Sequence, residues 1–284
     1  MGKIFKMFVL CSLALIVGTT GVMAQMKKTS FVALGDSIPF GFNLGEDNTN
    51  PAEEAFPFLM GMIGKGDVNN LGVPMWKTDD LLKAVEHDPV FRDTIGQADL
   101  ITVNIGSNDL LQALHDAFYR SFWDSSRFSE YLFEEIDNRE LYNNLERILI
   151  EIRMLSDAPV LLYNIYNPFQ EDDPLYNVAL HVLPEVNNHL EMITQQCNND
   201  NVILIDAFGV FQTGEGDYVL ESDIHPTRSG HQRLAQIGIE AIDKHKLQQK
   251  EEQRPCAAPL FNYGFARNNM LIAQTLPARK ARSG

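Results

Sequence analysis

Basic charge is scarce in this chain: 23 Lys and Arg face 38 Asp and Glu, a formal net charge of −15 over 284 residues. A nucleic-acid surface needs a basic face to meet phosphates, so this balance argues against that class of partner. Cysteine is scarcer still. Cys11, Cys197 and Cys256 are too few for a disulfide scaffold, and none has a partner at metal-ligand spacing. Long apolar runs are confined to the N-terminus, so nothing downstream reads as a membrane span. The remainder is ordinary for a globular chain. With 45% hydrophobic and 21% charged residues, wholesale disorder is ruled out and a substantial core is affordable.

The first 24 residues form a separate object. Lys3 and Lys6 precede an apolar run over 7–18, and Val22-Met23-Ala24 offers small residues for cleavage before Gln25. That layout predicts a secretory signal peptide over 1–24, because the run is short for a bilayer span. An uncleaved N-terminal anchor is the competing reading. Cys11, inside the run, is a poor site for lipid attachment. The mature chain is expected to be secreted, to lack a membrane span and, without Lys3 and Lys6, to carry −17. In that compartment Cys197 and Cys256 either pair or stay separate thiols; both readings stand.

Downstream, short β-rich runs alternate with longer helical patterns. Strands are predicted over 30–34, 67–71, 100–105, 160–165 and 202–205, all nearly free of charge, as in strands buried on both faces. Thr78-Asp79-Asp80 reads as a helix N-cap before Leu81, Leu82 and Val85. Further helices are predicted over 140–156, 176–197 and 229–247. The alternation implies an α/β fold, with a parallel sheet between two helical layers and right-handed crossovers. Two insertions stand out: a loop-like 39–66, with Phe40, Phe42, Phe56 and Phe58, and an aromatic-rich 110–138. Residues 251–284 reverse the local charge to +3 and carry Pro255, Pro259 and Pro277. They read as a flexible tail or a docking segment behind a catalytic domain at 25–250.

Active sites of open parallel sheets collect at the carboxyl ends of the strands. Four short blocks sit there. Gly35-Asp36-Ser37 follows the first strand, Asn70-Leu71-Gly72-Val73 the second, and Ile105-Gly106-Ser107-Asn108-Asp109 the third; Ser222-Asp223-Ile224-His225-Pro226 precedes the last helix. Each alone is ordinary turn or cap chemistry. In order and together, over about 29–247, they resemble the SGNH hydrolases, also called GDSL esterases and lipases, whose four blocks supply Ser, Gly, Asn and His. Ser37, Gly72, Asn108 and His225 match them one by one. The resemblance implies a three-layer α/β/α sandwich around a five-stranded parallel sheet, the flavodoxin-like SGNH hydrolase fold. No Gly-x-Ser-x-Gly elbow is present, which argues against the ordinary α/β-hydrolase fold.

Acyl-transfer chemistry gives these residues roles. A serine hydroxyl attacks an ester only when a base takes its proton, and a histidine is suited to that near neutral pH. Ser37 is therefore the expected nucleophile and His225 the base. The resemblance implies an oxyanion hole built from the backbone N–H groups of Ser37 and Gly72 and the side-chain amide of Asn108. The family's orienting acid stands three residues before the histidine, where this chain has Ser222. Asp223, two before, is the expected substitute, with Glu221 four before. A Ser–His dyad held by a backbone carbonyl remains open. Asn164 and Asn167 either line the cleft or shape the turn before Pro168. No metal or organic cofactor is required.

The chain thus reads as a secreted serine esterase or lipase acting on a small-molecule or lipid ester. The aromatic insertions, either pocket wall, lid or core, favour a lipid-like acyl group; a carbohydrate O-deacetylase of the same fold is the alternative. A catalytically dead binding module is disfavoured by the complete set of four residues. A nucleotide binder would need a Gly-rich phosphate loop after the first strand, and none is there. Without signal peptide and tail the domain carries −20. A dispersed or neutral ester suits it better than an anionic bilayer. Oligomeric state is not legible.

Overall fold

The computed structural model describes residues 28–45, 47–196, 201–213 and 217–252, with side chains to 246. The segment 1–24 expected to be a signal peptide, all three cysteines and residues 253–284 lie outside the described residues. Two units divide the chain, Met1–His245 and Lys246–Gly284, and the fold below belongs to the first.

Along the chain run β1 (Ser30–Gly35), α1 (Ser37–Phe40), α2 (Phe56–Gly64), β2 (Asp67–Gly72), α3 (Thr78–His87) and α4 (Pro89–Gly96). Then come β3 (Leu100–Asn104), α5 (Ser107–Arg120), α6 (Phe128–Asn138), α7 (Leu141–Leu155) and β4 (Val160–Tyr163). They are followed by α8 (Tyr176–Gln196), β5 (Val202–Ile205), α9 (Ala207–Phe211) and α10 (Arg228–Glu252). The five predicted strands are all present, and their pairing is parallel throughout in the order β2-β1-β3-β4-β5. Connections leave β1 toward β2 on one side and β3 onward on the other, so the topological switch point lies between β1 and β3.

The apolar strands are wrapped on both faces. Val32, Leu34, Ile101, Val103, Val160 and Leu162 meet α3 through α8 on one side. Leu100, Leu161, Tyr163 and Ile205 meet Phe56 and Met60 of α2 and Leu234 and Ala235 of α10 on the other. Each fully buried aliphatic side chain contributes about 1.5–3 kcal/mol. The second layer also holds a buried His231, whose Nδ1 accepts from the Phe56 N–H at 3.1 Å. Burial drops its pKa to about 3, so the ring is neutral and serves as an acceptor for the start of α2.

Three expectations shift. The insertion at 39–66 is not all loop, because Phe56 and Met60 bury one face of α2 against the sheet. The aromatic insertion is a helical hairpin, α5 and α6. Thr78 is the first residue of α3 rather than its cap. Asp80 Oδ2 accepts from the Lys77 N–H at 3.1 Å, while the Thr78 hydroxyl donates to Asp109 Oδ1 at 2.7 Å. Helix α10 also runs past residue 250, to Glu252.

Candidate active site

The turn after β1 is governed by close approach. Gly35 pairs with Gly72 of β2 on one side and Asn104 of β3 on the other. Its φ is 146°, and a Cβ on this residue would stand 1.9 Å from the Asn104 carbonyl oxygen, so there is room for hydrogen alone. The chain then swings into α1, where Asp36 Oδ1 caps the Ile38 N–H at 2.9 Å. Ser37 is thereby placed on the first turn, 7% exposed, with its Oγ 3.0 Å from His225 Nε2. Among the described residues the Ser37 N–H meets no acceptor.

His225 sits on the loop before α10. Its Nδ1 lies 2.7 Å from Asp223 Oδ1. A carboxylate only accepts, so the proton is on Nδ1 and Nε2 is free to take the Ser37 proton. Asp223 Oδ2 accepts in turn from Asn43 Nδ2 at 2.7 Å, and Asn43 is braced by Asn48 through two hydrogen bonds. Burial draws the Asp223 carboxyl upward, but the bonds from Asn43, His225 and the Ile224 N–H outweigh it and the net shift is downward. Ser222, the residue three before the histidine, turns the chain at φ 58° just ahead of Asp223. Glu221 stays exposed. Two further residues fix the imidazole. Tyr166 Oη donates to the Ile224 carbonyl at 2.7 Å, and the Phe42 ring leans on His225 at 5.0 Å.

Beyond β3, Gly106 at φ 115° starts α5, and Asn108 and Ser37 line one cavity. One Asn108 amide hydrogen goes to the Trp76 carbonyl at 2.9 Å, which leaves the second available. Gly72 is placed differently from the sequence expectation. Its N–H donates to Asn70 Oδ1 at 3.0 Å, and Asn70 Nδ2 holds the Pro39 carbonyl at 2.6 Å. The glycine is needed sterically, since a Cβ would meet Phe40 N at 2.8 Å and the Asp36 carbonyl oxygen at 2.9 Å. In the loop that follows, the N–H groups of Val73, Trp76, Lys77 and Thr78 are all taken, and Pro74 has none. Met75 alone keeps an N–H there with no acceptor among the described residues, at φ 69° and with its side chain in solvent.

The cavity, about 80 Å³, has Ser37, Ser107 and Asn108 at one end and a hydrocarbon wall beyond. Leu110, Leu111 and Leu114 of α5, Leu132 and Ile136 of α6, and Val182 and Leu183 of α8 supply that wall. The insertion's aromatics were expected to line a pocket, form a lid or close the core. Its aliphatics line the cavity, Phe128, Tyr131 and Phe133 pack against the core, and Phe118, Tyr119, Phe122 and Trp123 face solvent. Asn164 and Asn167 shape backbone. Asn164 bridges Asp206 and the Phe208 N–H, and Asn167 caps the Phe169 N–H.

Near Ser37 lie two buried acids, Asp36 and Asp109. Asp109 accepts from the Thr78 hydroxyl and N–H, and burial raises its pKa despite them. Asp36 Oδ2 has no partner among the described residues. Burial pushes the Asp36 pKa up to about 7, against the pull of the Ile38 N–H and with the Asp109 charge adding to the rise.

The sequence profile of the GDSL-like lipase/acylhydrolase family matches residues 33–233. The spore germination lipase LipC of Bacillus licheniformis is 27% identical over 164 residues, 56% of this chain and 70% of that protein. The lipase Lip_vut3 from a goat rumen metagenome superposes with a TM-score of 0.61 at 24% identity, covering 75% of this chain and 97% of its own. A catalytic mutant of the acetylxylan esterase Axe2 from Geobacillus stearothermophilus gives 0.54 at 18% identity, covering 76% and 94%. At these identities the structural likenesses speak for a shared fold.

A pH dependence follows from Asp36. The folded protein keeps a proton that the unfolded chain releases near pH 3.8. Stability from this group is therefore full at low pH and falls, by at most about 1.4 kcal/mol per unit, as pH rises toward 7. Asp36→Asn keeps the capping oxygen and cannot ionise. Thermal unfolding of both proteins from pH 5 to 8 should show the variant gaining on the parent up to about pH 7 and the difference levelling off above it; parallel curves throughout would refute the buried-acid assignment.

Proposed function

The chain belongs to the GDSL-like lipase/acylhydrolase family and is a carboxylic ester hydrolase, and from that premise we propose an exported enzyme that cleaves lipid-like acyl esters through a Ser37 acyl-enzyme. The observation that carries the reading is the run of contacts Asn43–Asp223–His225–Ser37, each link 2.7–3.0 Å. His225 Nε2 takes the Ser37 proton as Oγ attacks the ester carbonyl. Asp223 holds the tautomer and balances the imidazolium. The imidazolium then protonates the departing alkoxide, and a water activated by the same nitrogen hydrolyses the acyl-enzyme.

The oxyanion needs donors preorganised before charge develops, each worth about 10²–10³ in rate. We assign this role to the Ser37 N–H, the second amide hydrogen of Asn108 and the free N–H of Met75. Met75 takes the part expected of Gly72, whose own N–H is spent on Asn70. A crystal structure of a phosphonate adduct tests the assignment. Its phosphoryl oxygen should stand about 2.7–3.1 Å from those three nitrogens; an oxygen bonded to Gly72 N would return the role to Gly72.

The acyl preference rests on the hydrocarbon wall of the cavity. Beyond the nucleophile's end its lining residues offer no free polar group with which to hold a sugar, the Tyr166 hydroxyl being given to Ile224. Export rests on residues 1–24, with their basic start and apolar run. The enzyme is expected outside the cell with Gln25 as its first residue. Its kcat/KM on p-nitrophenyl esters should rise at least about tenfold from acetate to octanoate, because each buried methylene adds about 0.8 kcal/mol. A strict preference for acetate would reject the lipid reading in favour of deacetylation.

A further inference from the structure

The hairpin of α5 and α6 carries the hydrocarbon cavity at one end and an uncovered aromatic cluster at the other. Leu110, Leu111 and Leu114 line the cavity. At helical spacing the same stripe continues through Phe118 to Phe122, just past the end of α5. There Phe118, Tyr119, Phe122 and Trp123 are 62, 65, 66 and 91% exposed, far more than the interior-facing residues of the same hairpin. The rings pair edge-on, Phe118 with Tyr119 at 6.1 Å and Phe122 with Trp123 at 4.9 Å. Four clustered aromatics on one tip are costly to leave in water. Phe, Trp and Tyr together suit the boundary between headgroups and acyl chains.

Charge narrows the kind of surface. Residues 107–139 hold seven acidic and three basic side chains. Each base is already engaged, Arg120 by Glu134 and Glu135, Arg127 by Glu130 and Arg139 by Asp116. Nothing at this tip would gain from an anionic headgroup. We propose that the tip formed by Phe118, Tyr119, Phe122 and Trp123 inserts into a neutral or zwitterionic lipid surface. From there the stripe on α5 leads an acyl chain into the cavity beside Ser37. The proposal rests on the lipid-ester reading above and adds where such an ester is met.

Phe122 and Trp123 do not line the cavity, so their replacement leaves the chemical machinery untouched. The test compares the secreted protein with the Phe122→Ser/Trp123→Ser double variant. Both are floated with phosphatidylcholine vesicles and assayed on soluble p-nitrophenyl butyrate. The variant should partition at least about tenfold more weakly, the scale expected from withdrawing two aromatic side chains from hydrocarbon, with its rate on the soluble ester unchanged. Equal partition of the two proteins, or a parent that ignores vesicles while hydrolysing butyrate, overturns the docking proposal and leaves the hydrolase standing. A parent dimer that the double variant abolishes, without vesicle binding, gives the tip to a second copy and also overturns it. Vesicle binding joined to acetate-only hydrolysis removes the lipid-ester reading while the docking stands.

Discussion

Close approach of three parallel strand ends is the constraint on which the site depends. Gly35 is flanked in register by Gly72 and Asn104, with a clearance to the Asn104 carbonyl that no side chain could share. Only there does the chain leave β1 tightly enough to set Ser37 on a four-residue helix beside the loop after β3. Gly72 serves the same purpose from the other side, since any Cβ would push on the backbone of Asp36 and Phe40. Two glycines that look like turn punctuation are therefore steric clearances. The apolar strands β1, β3 and β4, buried between the helical layers, keep that geometry rigid.

The polar groups built on this frame are ordered by burial. Asp223, near the surface, is held ionised by three donors and can steady an imidazolium. Asp36, fully buried and with no partner for Oδ2 among the described residues, is pushed toward the neutral form. Two acids on loops of one site thus carry opposite tendencies, for the reason that separates their environments: hydrogen-bond donors outweigh desolvation at one and not at the other. His231, buried and neutral, shows the same desolvation acting on a base. His225 differs from it in having a carboxylate, that of Asp223, within reach of its ring.

Much of the frame was legible in the sequence because the buried strands β1, β3 and β4 are nearly continuous apolar runs, and all five strands appear within two residues of their expected bounds. Strand β2, expected to be buried on both faces, is an edge strand with Asp67 and Asn69 exposed. Ser37, Asn108 and His225 were legible because each follows or faces a strand end in a fixed order. Asn43 was not, since it reaches Asp223 across 180 positions of sequence. Tyr166 likewise acts on His225 through a carbonyl, which no side-chain pattern announces. Met75, proposed as an oxyanion donor, hid behind its residue type, because what it offers is a backbone N–H at a left-handed turn. The aromatic insertion misled for a related reason. Composition shows that rings are present, but only the helical phase decides that leucines face the cavity, that Phe128, Tyr131 and Phe133 pack on the core, and that Phe118, Tyr119, Phe122 and Trp123 face water.

The proposed nucleophile is Ser37 and its proposed base His225, on the 3.0 Å contact between Oγ and Nε2. Labelling with a fluorophosphonate, followed by peptide mass spectrometry, reads that claim without reference to any particular ester. Attachment is expected at Ser37 alone and should be slowed by orders of magnitude in a His225→Ala protein whose thermal unfolding matches that of the parent. Attachment at another residue, or an undiminished rate in His225→Ala, would contradict it.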